Sequence, residues 1–339
     1  MSAILREDRE SMTDFRAETL DALRAVASAD YPDIPARLAE AAHPDARWRV
    51  AHPVGEIHGT AEVVEAWHRP LRRAFPRLAR RDEIAMGGES TTGSGRWVAT
   101  LGHYVGSFET PFMGVSASSK LAFLRVGEFY RIEDGRIAEA VILPDLLDLM
   151  RQTGRFPLPH QLGVEILFPG PSTHDGVLPD RPDLSDASVR KVEAMLADLK
   201  AYDPATFESR GQFGPDGYWR EDMLWYGPGG IGANAGYLGF QRDHRVPFLT
   251  AFPDRVGGNH FARFGDGAYA ASGGWPSMTM THKGAYLGVH PTGAALTLRV
   301  MDFWRVADDG KIAENWVLLD LCDLFLQMGR DLIAEAQAL

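Results

Sequence analysis

Leu296-Thr-Leu-Arg-Val-Met-Asp-Phe-Trp-Arg-Val306 is the stretch whose reading decides the fold. At the two-residue period of an extended strand, Leu296, Leu298, Val300, Asp302, Trp304 and Val306 share one face. Thr297, Arg299, Met301, Phe303 and Arg305 share the other. Five residues of the first face are apolar and the sixth, Asp302, is a carboxylate. Ala122-Phe-Leu-Arg-Val-Gly-Glu-Phe-Tyr-Arg-Ile132 repeats the arrangement, with Glu128 among Ala122, Leu124, Val126, Tyr130 and Ile132. An acid on an apolar face is costly unless it has a partner or a purpose.

Working outward, the two strands belong to a longer repeat. Phe129-Tyr-Arg-Ile-Glu-Asp-Gly-Arg-Ile-Ala-Glu139 matches Phe303-Trp-Arg-Val-Ala-Asp-Asp-Gly-Lys-Ile-Ala-Glu314 with one inserted residue. Leu143 to Arg155 matches Leu318 to Arg330, Phe112-Met-Gly-Val115 matches Tyr286-Leu-Gly-Val289, and Ala74-Phe-Pro-Arg77 matches Thr250-Ala-Phe-Pro-Asp254. The chain therefore reads as a tandem duplication. The first copy occupies residues 1–160, a Pro/Gly-rich linker 161–184, and the second copy 185–339.

Helical periodicity opens each copy: Phe15, Leu20, Leu23 and Val26 in the first, and Val189, Val192, Leu196 and Leu199 behind an Asp186 cap in the second. Short second helices are expected over 35–42 and 203–212, and third helices over 61–75 and 238–252. In the second copy strands follow over 258–263, 268–284, 295–306 and 311–318, and an edge strand is expected over 164–168. Asp-Gly pairs at 134–135 and 309–310 make the last two strands of each copy a hairpin. Helices followed by an antiparallel meander give an α+β fold, helices packed on one face of a curved sheet.

Composition narrows the functional classes. At 339 residues with 45% hydrophobic and 24% charged content, the chain reads as globular, with room for two domains. A net charge of -11 argues against nucleic acid or an anionic membrane as partner. Cys322 is the only cysteine, which excludes an intrachain disulfide and a Cys-rich zinc site. The charged opening lacks a signal core and no apolar run reaches spanning length, so a cytoplasmic location is expected. The histidines show no HExxH or i,i+4 pairing, so no metal is expected. Gly230-Ile-Gly-Ala-Asn-Ala235 imitates a dinucleotide fingerprint, but no parallel βαβ unit or ribose-binding acid accompanies it.

Thr281-His-Lys-Gly-Ala-Tyr-Leu-Gly-Val-His-Pro-Thr-Gly293, then Met301-Asp-Phe-Trp-Arg-Val306, then Asp309-Gly-Lys-Ile-Ala-Glu-Asn-Trp316 resemble the SnoaL-like polyketide cyclases of the nuclear transport factor 2-like superfamily. The resemblance implies a cone: a curved antiparallel sheet around helices, with an apolar pocket in its mouth. It also implies cofactor-free aldol cyclisation, with Asp302 matching the family's proton-abstracting aspartate and His282 a family histidine. The first copy departs from this pattern, with Val115 to Lys120 in place of the Pro-Thr-Gly turn. The second departs at Asn315, where many members carry histidine.

The residues themselves support an acid/base reading. Burial among Leu298, Val300 and Trp304 raises a carboxyl pKa and makes the anion a stronger base. Arg299 and Arg305 lie on the opposite strand face and are poorly placed to neutralise Asp302. Met278, Met280 and His282 alternate onto one face, which would aim His282 at the same cavity. Trp304, Val300, Leu298, Trp316 and Tyr286 are the expected pocket lining. Glu128, His103 and His52 form a candidate second pocket, while the bland reading of His52 and His260 is a satisfied, half-buried histidine. The expected ligand is a small apolar carbonyl compound. The alternatives are a non-catalytic small-molecule-binding protein and an ester or epoxide hydrolase on the same fold. The copies are expected to pair sheet to sheet as a pseudo-dimer, with a homodimer as a further option.

Overall fold

The computed structural model describes residues 4–339, with side chains from Phe15 onward. In the first copy, helices α1 (Ile4–Ser28) and α2 (Ile34–Ala41) precede strands β1 (Ala42–Val50) and β2 (Gly55–His58). Helices α3 (Gly59–Val63) and α4 (Arg69–Ala74) flank a π-helical turn, Val64–His68. Strands β3 (Ala79–Glu89), β4 (Arg96–Ser107), β5 (Leu121–Glu133) and β6 (Arg136–Pro144) follow, and α5 (Leu146–Gln152) ends the copy.

The second copy repeats the order. It runs α6 (Ser185–Lys200), β7 (Trp219–Tyr226), β8 (Ala233–Ala235), α7 (Gly236–Phe240), a π-helical turn Gln241–Arg245 and α8 (Val246–Ala251). Then come β9 (Val256–Gly257), β10 (Ala262–Asp266), β11 (Tyr269–Thr281), β12 (Ala295–Val306), β13 (Ile312–Leu319), α9 (Leu321–Gln327) and α10 (Leu332–Ala338). The sheets are ordered β2-β1-β6-β5-β4-β3 and β8-β7-β13-β12-β11-β10, strand for strand the same, with β9 added beside β11. Each is antiparallel except where the early strand joins the last one in parallel, β1 to β6 and β7 to β13. The repeat reaches single residues. Met113 and Gly114 (φ 48° and 84°) and Leu287 and Gly288 (φ 46° and 84°) make the same left-handed turn, closed by Phe112–Val115 and Tyr286–Val289.

Four local expectations differ from the structure, the first being the strand over 258–263, which is interrupted at 258–261 between β9 and β10. The stretch 203–212 forms turns, because Asp203 Oδ1 accepts the Ala205 N–H (2.7 Å) and Thr206 Oγ1 the Glu208 N–H (3.3 Å). Such local bonds compete with a helix, and Pro204 reinforces them. Helix α6 begins one residue before Asp186, which sits in its first turn and makes no cap bond; its charge there still favours the helix dipole. The expected edge strand contributes a single bridge, Val164 to Ala233.

Alternation gives each sheet an inner face toward its own helices and an outer face, and the outer faces pack against each other. Trp97, Ala99, Leu101 and Phe129 of the first copy are buried in one cluster with Phe264, Met301, Phe303, Trp316 and Leu318 of the second. Phe129 and Phe303 meet at 5.6 Å between ring centroids. Arg125 crosses this contact and donates to the carbonyls of Tyr226 (2.9 Å), Gly227 (2.9 Å) and Val317 (2.8 Å). Burial lowers its pKa to about 10, which still leaves a cation at neutral pH. The helix caps interlock as well. Asp145 caps α5 and accepts the Gly229 N–H (3.0 Å), while Asp320 caps α9 and accepts the His52 N–H (3.0 Å). Register makes Asp145 equivalent to Asp320 and His52 to Gly229, so the exchange is reciprocal, as in an isologous contact.

Replacing Arg125 by Met leaves three carbonyls without their donor and Asp145 without a nearby cation (3.9 Å). We expect Arg125→Met to cost roughly 3–5 kcal/mol of unfolding free energy, read by urea denaturation. A loss below about 1 kcal/mol would show that the outer-face contact is held by apolar packing alone.

Candidate functional site

Among the described residues, the second cone encloses the larger hollow. Its cavity, about 250 Å³, is lined by the inner face of β12 through Leu298, Val300, Asp302 and Trp304, with Asn315 and Val317 of β13 beside them. Helix α6 and the α7–α8 segment supply the opposite wall, including Leu196, Leu199, Phe240 and Phe248. The corresponding space in the first cone is about 20 Å³.

Cross-strand register explains the difference. In the first cone Tyr104 pairs with Leu124 on one side and Arg80 on the other. The equivalent partners in the second are Met278, Leu298 and Gly257. Arg80 and Tyr104 fill the first cone and lock Glu128: Arg80 Nη2 lies 2.7 Å from its carboxylate, Thr100 Oγ1 donates to it at 2.8 Å and Tyr104 Oη at 3.0 Å. Glu128 is 1% exposed and its oxygens are fully engaged. With Gly257 and Met278 in those two places, the second cone loses both the filling volume and the counter-ion. A two-residue bulge in β11 between Gly274 and Met278 widens it further.

Asp302 is consequently a different group from Glu128. It is half-buried, with its carboxylate on the cavity wall and apolar side chains packed around it. Desolvation raises its pKa from 3.8 to about 7, against smaller opposing effects of the Asn315 amide and the Arg263 charge. Arg299 and Arg305 pair instead with Asp320 (2.8 Å) and Glu314 on the outer face.

A hydrogen-bond chain ends in the same cavity. Arg263 Nε donates to Ser272 Oγ (3.2 Å), Ser272 Oγ lies 2.7 Å from His260 Nδ1, and His260 Nε2 lies 3.2 Å from Ser277 Oγ. Ser272 Oγ accepts from Arg263 and also contacts the Ala262 carbonyl (3.3 Å). Burial first, then the Arg263 and Lys200 charges, lower the His260 pKa to about 4, so the ring is neutral and one of its nitrogens donates while the other accepts. The Ser277 hydroxyl at the end of the chain lines the cavity. The Trp304 side chain also lines the cavity, and its indole N–H is buried without a protein acceptor.

The other residues singled out from sequence lie elsewhere. β11 ends at Thr281, and His282 belongs to the following turn, where its Nδ1 meets Thr292 Oγ1 (3.1 Å) and N–H (3.3 Å); it is absent from the cavity wall. Tyr286 packs among Phe248 and Phe252 behind the wall. Trp316 is an odd step from Asn315 and so faces outward, stacked on Tyr226 and donating to the Pro169 carbonyl (2.9 Å). His103 is an odd step from Thr100, which puts it on the outer face of β4 beside Arg125. β1 ends at Val50, so the alternation that links His52 to Trp48 stops short of it, and His52 sits at the junction of the copies. Lys200, Tyr202, His244, Arg245 and Arg255 also line the cavity, unmarked by any motif. Among the described residues no cluster of His, Cys, Asp or Glu has the arrangement of a metal site. No described helix is long and apolar enough to cross a membrane.

The raised pKa has a thermodynamic sign. Between about pH 4 and 7 the folded Asp302 carboxyl holds a proton that the unfolded one has released. Its contribution to stability is full below pH 4, falls through this window and is lost above pH 7. Asp302→Asn should therefore stabilise the protein at pH 8 by a few kcal/mol, at most about 4, and by nothing near pH 4. Urea titrations at the two pH values check this; an equal effect at both would contradict the buried-carboxyl assignment.

Comparison with known proteins gives the fold its relatives. The profile of the SnoaL-like polyketide cyclases matches residues 17–153 and 218–328. Among solved structures, a protein described as a SnoaL-like polyketide cyclase from Jannaschia sp. CCS1 is 18% identical over 40% of this chain and 90% of its own, with a TM-score of 0.32. TsrD from Streptomyces laurentii is 20% identical over 42% of this chain and 96% of its own (TM-score 0.34). IdmH from Streptomyces antibioticus, described as a polyketide cyclase, is 20% identical over 41% and 98% (TM-score 0.30). The search of curated proteins returned no match. The profile spans well over half of the sequence in two separate stretches, and the chain belongs to the SnoaL-like polyketide cyclase family, whose fold it carries in two tandem copies.

Proposed function

We propose that the second cone is a cofactor-free acid/base site for a carbonyl compound, with Asp302 as the base. The observation that carries this reading is one carboxylate with a pKa near 7 on the wall of a 250 Å³ cavity whose sister carboxylate is locked in a filled one. Asp302 takes a proton from carbon next to the carbonyl. The oxygen that gains negative charge is met by the Ser277 hydroxyl, which donates to it when His260 carries its hydrogen on Nε2. The enolate then attacks a second carbonyl of the same molecule, and the new alkoxide recovers the proton from Asp302. Atoms balance without an oxidant or a metal. His282 supports the site from its turn and does not contact the substrate.

In this reading the first cone is a structural partner, and the two copies act as an internal pseudo-dimer. No observation favours the hydrolase alternative. A binding protein without catalysis would use the same cavity and differs in the outcome below.

The test is α-deuterium incorporation into 2-tetralone, a bicyclic ketone of suitable size, followed by NMR. Exchange above buffer should rise with pH with an inflection near 7, as Asp302 ionises. Asp302→Asn should lower it by about 10²-fold or more, and Ser277→Ala by about 10²-fold. The double variant Gly257→Arg, Met278→Tyr should rebuild the first cone's filling and abolish ligand binding with the fold intact by circular dichroism. Binding of the ketone with no exchange above buffer would establish the non-catalytic alternative.

A further inference from the structure

The wall opposite β12 carries an excess of positive charge that nothing in the described protein neutralises. Arg245 comes from the π-helical turn before α8, Arg255 from the loop before β9, and Lys200 from the end of α6; all three line the cavity. The remaining arginines that line or border this cone have acidic neighbours, as Arg263 has Glu193 (3.8 Å). Arg245 instead spends its donors on the Phe207 carbonyl (2.9 Å) and Ser209 Oγ (2.6 Å). Arg255 donates to the Tyr202 hydroxyl (3.2 Å) and lies over that ring at 4.9 Å, while Arg245 lies over it at 5.9 Å. Tyr202 is thus a neutral spacer between two guanidiniums.

The Asp198 charge acts on Arg245 but forms no ion pair with it; its oxygens accept the Gly211 N–H (3.0 Å) and the Gln212 amide. Arg245 is 5% exposed, and its Nη1 is buried with no hydrogen-bond partner. A buried charged donor without a partner is costly. Burial lowers the pKa of both guanidiniums, and the charge of Arg255 lowers that of Arg245 further. All this occurs in a chain whose net charge is -11.

We infer that the second cone takes a carbonyl compound bearing a carboxylate, which Arg245 and Arg255 grip, with Lys200 at the rim, while the carbonyl end faces Asp302 and Ser277. Arginine pairs favour carboxylates because the guanidinium fork offers two parallel donors. The anion neutralises two like charges that share Tyr202 and, once the Arg245 side chain rotates toward the cavity, supplies the acceptor its buried Nη1 lacks. It also orients the substrate: an acid placed at the Asp302 end would be repelled by the ionised carboxylate, so only one direction of entry is favourable. This inference rests on the reading of the cavity as the substrate site and adds a carboxylate to the small apolar carbonyl compound expected from sequence.

Calorimetry with 2-naphthoate and its neutral isostere 2-naphthamide, at pH 8 on the full chain, tests it. Charge-assisted hydrogen bonds of this type correspond to roughly ten-fold or more in affinity, so the carboxylate should bind at least about ten-fold tighter than the amide. Arg245→Gln and Arg255→Gln should each shrink that ratio toward one, with the naphthamide Kd changing far less than the naphthoate Kd and circular dichroism reporting an intact fold. Raising the salt concentration should weaken only the carboxylate. Equal binding of the two probes, or a ratio that survives both substitutions, would overturn the inference. Absence of exchange into 2-tetralone by the unsubstituted protein would instead count against Asp302 as base and leave this result untouched.

Discussion

Everything in this molecule is arranged around one contact, the burial of two outer sheet faces against each other. A curved sheet that wraps helices on one side must still cover its other side, and here each copy covers its sister. The apolar cluster around Phe129 and Phe303 provides the area, roughly 1.5–3 kcal/mol for each fully buried large side chain. Arg125 and the reciprocal caps Asp145 and Asp320 fix the register. Because the outer faces are satisfied in this way, each sheet keeps its inner face for its own helices.

The contrast between the two cones shows how small a change converts a core into a cavity. Arg80 and Tyr104 in one cone, and Gly257 and Met278 in the other, occupy equivalent places in otherwise matching sheets. The first pair completes a satisfied polar network around Glu128, which is the condition under which a buried acid is tolerated. The second pair removes both the filling and the neutralising charge. What remains is a carboxyl whose proton is held near neutrality, in a cone whose other wall carries unneutralised guanidiniums.

Much of the fold was legible in sequence because hydrophobic alternation and turn chemistry are local. The repeat, the α+β order and the inner faces of β5 and β12 follow from counting by two and from Asp-Gly and Gly-Val landmarks. The loss of Arg80 was legible too: counting from Phe75-Pro76 and from Phe252-Pro253 sets Arg80 opposite Gly257. The failures came where local rules stop. Alternation was carried one residue beyond the end of β11 to His282 and two beyond β1 to His52. For Trp316 and His103 the alternation held but the face was misassigned. Arg245 and Arg255 gave no signal, since an arginine declares itself only when its surroundings show whether an acid is present.

The filled first cone has a consequence for symmetry. When two identical chains pair sheet to sheet, every substitution appears in both halves, so a residue that stabilises one interior by filling it also closes the other. Joining the halves covalently breaks that obligation. One half can then be optimised as a solid and serve as ballast for stability, while the other tolerates a void, an unpaired cation and a reluctant acid. Covalent duplication here separates the burden of staying folded from the burden of having a site.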